Sequence, residues 1–159
     1  MTIAVGDRIP DVSLSLATPE GPVPVRSTTY FEGKTVALFA VPGAFTPTCS
    51  AKHLPSFVEK ADELKAKGVD QIAATSVNDA FVMGAWSRDA GSADIDMLAD
   101  GNGELAKALG LTMDASGFGM GTRSQRYSML VEDGIVKQLN VEDPGAYEVS
   151  GAETLLGQL

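Results

Sequence analysis

Residues 35–41, Thr-Val-Ala-Leu-Phe-Ala-Val, are apolar after the first and are stopped by Pro42-Gly43. An unbroken apolar run of this length predicts a strand covered on both faces rather than a half-exposed one. Such a strand needs helices above and below it, which leaves few architectures open. The segment after the stop supplies one candidate. From about Cys49 to Lys67, Ala51, Leu54, Phe57, Val58, Ala61 and Leu64 recur at helical spacing, and Gly68 ends the pattern. Pro55 lies inside it and predicts a kink near the first turns.

The remaining chain repeats the alternation. Asp70 to Val77 reads as a second buried strand, and Asn78-Asp79 caps a helix running to about Arg88. Leu98-Ala99 is a short apolar piece. Asp100 caps a helix over Gly103–Leu109, closed by Gly110. Residues 127–131 and 135–141 flank Glu132-Asp133-Gly134, a hairpin signal. Residues 152–159 suit a last short helix. Residues 1–33 read as an irregular lead-in, rich in Pro and Gly, with Val12–Leu16 alternating as a half-buried strand does. The expected fold is α/β, a mixed central sheet flanked by helices with extra N-terminal elements, in one domain over residues 1–159.

Composition narrows function. The chain has 12 Lys and Arg against 21 Asp and Glu, a net charge of −9. Residues 1–80 carry 7 bases and 9 acids (−2), and residues 81–159 carry 5 and 12 (−7). This balance repels the phosphates of nucleic acid and anionic membrane surfaces. No apolar run approaches the roughly 18 residues of a membrane-spanning helix. The first ten residues do not read as a signal peptide, so the cytoplasm is the expected compartment. The single cysteine, Cys49, excludes an internal disulfide, a CxxC pair and a multi-cysteine zinc site. With one histidine, His53, any metal would need mostly carboxylates, and no metal or cofactor is expected.

Chemistry concentrates in Pro42-Gly-Ala-Phe-Thr46-Pro-Thr48-Cys49, between the buried strand and the helix. Strand ends of this kind are where α/β folds place their sites. A cysteine in a first helical turn meets unpaired backbone N–H groups and the positive end of the helix dipole, and both favour thiolate over thiol. The alternative is a small buried hydrophobe. Thr46 and Thr48 read either as helix caps or as hydroxyls aimed at the sulfur. His53 lies one turn beyond Cys49, which invites a Cys–His hydrolase, but no local group orients the imidazole, so His53 reads as structural or supporting. Gly117, Gly119 and Gly121 do not fit a dinucleotide loop and read as a flexible turn. Arg123 is expected in a surface ion pair. Arg126 abuts the apolar run 127–131 and is the better partner for a thiolate or a substrate.

Pro42-x-x-x-Thr46-x-x-Cys49 matches the PxxxTxxC signature of the peroxiredoxins. The longer string VPGAFTPTCSAKHLPSF, with SVNDAFVMGAW, the second arginine of RSQRYSML, and VEDGIVKQLNVE in order, resembles the peroxiredoxin-5 (type II, redoxin) subfamily. The resemblance spans almost the whole chain. It implies a thioredoxin-like fold and a peroxidatic Cys49. It implies that Thr46 hydrogen-bonds the peroxide, that Arg126 stabilises the thiolate and orients the peroxide oxygens, and that Pro42 shields the thiolate. The expected substrates are hydrogen peroxide and alkyl hydroperoxides. Many members carry a second, resolving cysteine and this chain does not, so it is of the one-cysteine type. Its sulfenic acid then needs an external thiol, either glutathione with glutaredoxin or thioredoxin.

The resemblance also implies a homodimer, and Phe81, Val82, Met83 and Trp86 form an apolar group suited to an interface. Two other readings compete. One is a non-catalytic thioredoxin-like binding or chaperone module in which Cys49 is only packed. The other is a disulfide-exchanging oxidoreductase, against which the missing CxxC counts.

Overall fold

The computed structural model describes residues 2–159. Strands β1 (Ser13–Thr18) and β2 (Gly21–Arg26) form a hairpin followed by the short helix α1 (Ser27–Phe31). The lead-in is thus more regular than its Pro and Gly content predicts. Pro22 and Pro24 lie in β2, an edge strand, where a missing N–H costs no internal ladder bond.

Strand β3 (Thr35–Ala40) is the expected central strand. It pairs in parallel with β4 (Gln71–Ser76), which pairs in parallel with β5 (Ile95–Ala99). On its other side β3 pairs antiparallel with β8 (Tyr127–Glu132), which forms the predicted hairpin with β9 (Ile135–Val141). The seven-stranded order is β2-β1-β5-β4-β3-β8-β9. The mixed sheet therefore stands as the patterning predicts.

Alternation along β3 divides the core. Ala37 and Phe39, with Val41 beyond, face the layer of α2 (Leu54–Glu59), α3 (Ala61–Ala66), α4 (Ala80–Ala90) and α6 (Ala152–Gly157). Val36, Leu38 and Ala40 face the layer of α1 and α5 (Glu104–Leu109). Phe39 stacks on Phe57 with ring centroids 4.2 Å apart, fixing α2 to the sheet. Removing either ring would cost on the order of 3–5 kcal/mol. The caps fall close to their expected places. The Asp79 side chain accepts from Val82 N–H, and the Asp100 carboxylate accepts from Leu105 and Ala106 N–H.

The kink at Pro55 takes a specific form. Residues 49–53 make a π-turn in which Leu54 N–H donates to the Cys49 carbonyl. In a regular α-turn the Pro55 ring would crowd the carbonyl of Ala51, and the wider turn relieves that contact. A second break at Lys60 (φ −98°, ψ 7°) separates α2 from α3, and the periodicity carries no sign of it.

Two further elements escaped the patterning. Strands β6 (Thr112–Asp114) and β7 (Thr122–Ser124) pair as a separate two-stranded sheet. The glycines read as a flexible turn lie at its tip, which backbone bonds hold together: Ala115 N–H to Gly121 O at 2.7 Å and Met120 N–H to Ala115 O at 3.1 Å. Gly119 and Gly121 adopt φ of 72° and 68°, which the tight reversal requires.

Candidate active site

The sheet register brings the site together. Strand β8 runs antiparallel to β3, so Tyr127 lies opposite Ala40. Arg126, just before Tyr127, therefore arrives where the chain leaves β3 for Pro42 and Cys49. Its guanidinium donates through Nη2 to the Cys49 sulfur at 3.0 Å, and Nη1 lies 3.0 Å from Nδ1 of His53. Among the described residues this guanidinium has no carboxylate partner within salt-bridge distance. Its positive charge therefore rests directly on the sulfur.

His53 is fully buried. A guanidinium can only donate, so Nδ1 accepts and Nε2 carries the proton. That proton is directed at the Ser150 carbonyl, 2.9 Å away. Burial, and then the charge of Arg126, lower the His53 pKa to about 3. The imidazole is neutral at ordinary pH and serves as an acceptor that orients Arg126.

Behind His53, the Glu142 carboxylate is also buried. One of its oxygens accepts from the N–H groups of Glu148, Val149 and Ser150 and from the Ser150 hydroxyl, at 2.7–2.8 Å. Burial pushes the Glu142 carboxyl up, but these hydrogen bonds together outweigh it and hold it below its ordinary value. Tyr147 packs on the imidazole at 5.3 Å between centroids, with the Arg126 guanidinium 6.0 Å from its ring.

The loop before Cys49 is tightly held. Pro47 and Thr48 are already helical, with Pro47 at a first helical position that its ring favours, and Thr46 O accepts from Ser50 N–H at 2.9 Å. The Thr46 hydroxyl does not cap this helix. It donates to Gly43 O at 2.6 Å, which leaves its lone pairs free to accept. Asn78 accepts from Ala44 N–H, and Phe45 sits at φ 63°, a conformation unfavourable for its side chain. A Cβ on Gly43 would lie 3.0 Å from the Met120 Cε and 3.1 Å from the Thr46 Cγ2, so a larger residue there would press on the Thr46 side chain.

Cys49 is fully buried. A cleft of about 540 Å³ opens beside it, lined among others by Pro42, Thr48, Phe118, Arg126 and Asp143. Trp86 donates to the Ser50 hydroxyl at 2.9 Å, which places the only tryptophan one residue from the sulfur. Arg123 departs from expectation. Among the described residues it makes no ion pair but donates to the carbonyls of Met120 (2.9 Å) and Val77 (3.1 Å). The hairpin folds it inward, and it ties the β6–β7 tip to the loop after β4.

The redoxin family profile matches residues 4–156. The chain is a peroxiredoxin. Peroxiredoxin-2E-2, chloroplastic, from Oryza sativa subsp. japonica is 55% identical over 99% of this chain and 73% of its own length. Peroxiredoxin-2B from Arabidopsis thaliana is 46% identical over 99% and 98%. Among solved structures, reduced Prx3 of Vibrio vulnificus in complex with H2O2 superposes with a TM-score of 0.95, at 55% identity and 99% coverage of each chain. The fold is the thioredoxin-like one that the resemblance implies. As a peroxiredoxin the chain is a thiol peroxidase, and with Cys49 alone it is of the one-cysteine kind. Its relatives are consistent with the type II subfamily.

The sequence-derived site residues Pro42, Thr46, Cys49 and Arg126 share one end of the sheet, and Pro42 and Arg126 line the same cleft. Glu142, Tyr147 and Ser150 were not singled out from sequence. Only Glu142 carried a signal, as an acid directly after an apolar strand.

Proposed function

We propose that this peroxiredoxin reduces hydrogen peroxide and small organic hydroperoxides at Cys49. The observation that carries this reading is the Arg126 fork, spanning from the His53 imidazole to the Cys49 sulfur. The thiolate attacks one peroxide oxygen. The S–O bond forms as the O–O bond breaks, sulfur is oxidised to sulfenic acid, and the leaving hydroxide or alkoxide takes up a proton. Arg126 stabilises the charge that moves from sulfur to the leaving oxygen. The Thr46 hydroxyl, its own proton held by Gly43, accepts from the O–H of the hydroperoxide and fixes its direction of approach. Pro42 lines the entrance and keeps water from the sulfur.

The sulfenic acid then condenses with an external thiol, releasing water and leaving a mixed disulfide. A second thiol cleaves that disulfide and restores Cys49. Glutathione is the proposed first attacker, with glutaredoxin clearing the adduct, because full burial of Cys49 favours a small thiol over a protein. The proposed setting is a reducing compartment, the cytoplasm, where such thiols are abundant. The test is mass spectrometry after one equivalent of peroxide followed by glutathione. A glutathione adduct on Cys49 that glutaredoxin removes supports the scheme. No adduct, with rapid turnover by thioredoxin alone, transfers the recycling step to thioredoxin.

We also propose a homodimer. The sequence-derived apolar group does not survive intact as a surface, since Met83 and Trp86 are buried in the chain's own core. What supports association is Phe81 (73% exposed), together with Phe45 (50%) and Phe118 (86%).

A further inference from the structure

The buried groups behind the sulfur form a closed circuit that no step of the peroxidase chemistry requires by itself. Glu142 N–H donates to the Arg126 carbonyl at 3.0 Å, which fixes the backbone that carries the guanidinium. The Glu142 carboxylate gathers three successive N–H groups, those of residues 148–150, and the Ser150 hydroxyl. That sets the Ser150 carbonyl to accept from His53 Nε2. His53 Nδ1 in turn accepts from Arg126, whose other nitrogen donates to Cys49. One residue thus references both ends of Arg126, main chain and side chain.

We propose that Glu142 is the positioning residue for the Cys49 thiolate, acting through Ser150, His53 and Arg126. The proposal rests on Arg126 and Cys49 being the reacting pair. The physical reason is the shape of the loop from Val141 to Ala152. Three consecutive N–H groups can converge on one point only when an anion or a strong acceptor sits there. Without the carboxylate the turn reopens and the Ser150 carbonyl moves. His53 is then free to take the other tautomer, with its proton on Nδ1. That tautomer repels the guanidinium and withdraws it from the sulfur. A residue that only stapled the loop would lower stability when changed and leave Cys49 in the folded protein as it was.

The two roles separate in E142Q, which keeps the shape and one acceptor oxygen but loses the charge. The readouts are the ultraviolet absorbance of the Cys49 thiolate against pH and the stopped-flow rate with hydrogen peroxide. In E142Q the thiolate curve should move to higher pH and the rate should fall about 10-fold, by analogy with the loss of a preorganised electrostatic contact at one remove. D100N removes a carboxylate that caps α5 on the opposite face of the sheet. It should lower the melting temperature without moving the thiolate curve.

A double-mutant cycle with His53→Phe tests the route. Where the relay is already cut, E142Q should add little. A folded E142Q with the wild-type thiolate curve and rate would overturn the proposal, as would an E142Q effect of equal size with and without His53. Failure of the wild-type protein to react with peroxide would instead count against the peroxidase reading itself.

Discussion

Arg126 donates to the Cys49 sulfur at 3.0 Å although the two residues stand 77 positions apart in the chain. The antiparallel pairing of β3 with β8 makes that contact, and the short helical turn alone does not. A planar fork is required, because one nitrogen answers to His53 and the other to sulfur. Arg126→Ala should therefore slow Cys49 oxidation by about 10²-fold or more. Arg126→Lys, which keeps the charge but not the fork, should recover only part of this loss. Arg123→Ala should do much less, since its donors go to the Met120 and Val77 carbonyls. Stopped-flow rates of the three variants are the check.

Thr46 offers a cleaner separation of chemistry from stability. Its hydroxyl makes one intramolecular hydrogen bond, to Gly43, and its methyl packs close to the position a Gly43 Cβ would take. Thr46→Val keeps the shape and removes the acceptor. It should cut the peroxide rate by about 10- to 10²-fold while costing about 1 kcal/mol of stability. Thr46→Ser should retain most of the rate. Equal rates for the Val and Ser variants would show that the hydroxyl does not touch the substrate.

His53 makes stability depend on pH in a direction that can be worked out. Its pKa is lowered from 6.5 to about 3 in the folded chain. Below 6.5 the unfolded chain binds a proton that the folded chain refuses. The contribution to stability is therefore present in full above 6.5 and is lost as pH falls toward about 3. The slope within that window is at most about 1.4 kcal/mol per pH unit. Glu142, ordinarily near 4.5 and lowered here, adds a loss of the same sign only at lower pH. Urea unfolding between the two ordinary values should thus report His53, and His53→Phe should flatten the slope there.

Much of this site was legible from sequence, and what was hidden has identifiable causes. Cys49, Thr46 and Pro42 lie within one short segment after a buried strand, so local pattern exposes them. Arg126 showed itself as a charge at the mouth of an apolar run. Glu142 did not. Counting back from the Glu132-Asp133-Gly134 turn in a regular hairpin would set Val141 against Arg126. A β-bulge between Leu130 and Val131 shifts the register, so Tyr127 pairs with Val141 and Glu142 falls beside Arg126. Ser150 and Tyr147 belong to a loop with no periodicity, folded back by long-range hydrogen bonds to Glu142, His53 and Lys52. The β6 and β7 strands are three residues each, below the length at which alternation is a signal.

The proposed dimer has a direct test. Phe81 and Phe118 expose large rings that the chain's own core does not cover. Sedimentation should show a dimer at tens of micromolar, by order of magnitude the range of weak association. Phe81→Asp should shift the equilibrium toward monomer. Monomer alone in the wild-type protein would contradict the proposal.

The central claim is that Cys49 is the atom that peroxide oxidises. Trp86, through its bond to Ser50, reports on that turn of the helix. The most direct measurement is its fluorescence in a stopped flow, with the reduced protein mixed with one equivalent of hydrogen peroxide. Wild type should show a fast change, far quicker than a free thiol reacts, accompanied by the mass of one added oxygen on Cys49. Cys49→Ser, folded, should show neither. A wild-type protein no faster than a free thiol, or a folded Ser variant that still consumes peroxide, would contradict the account.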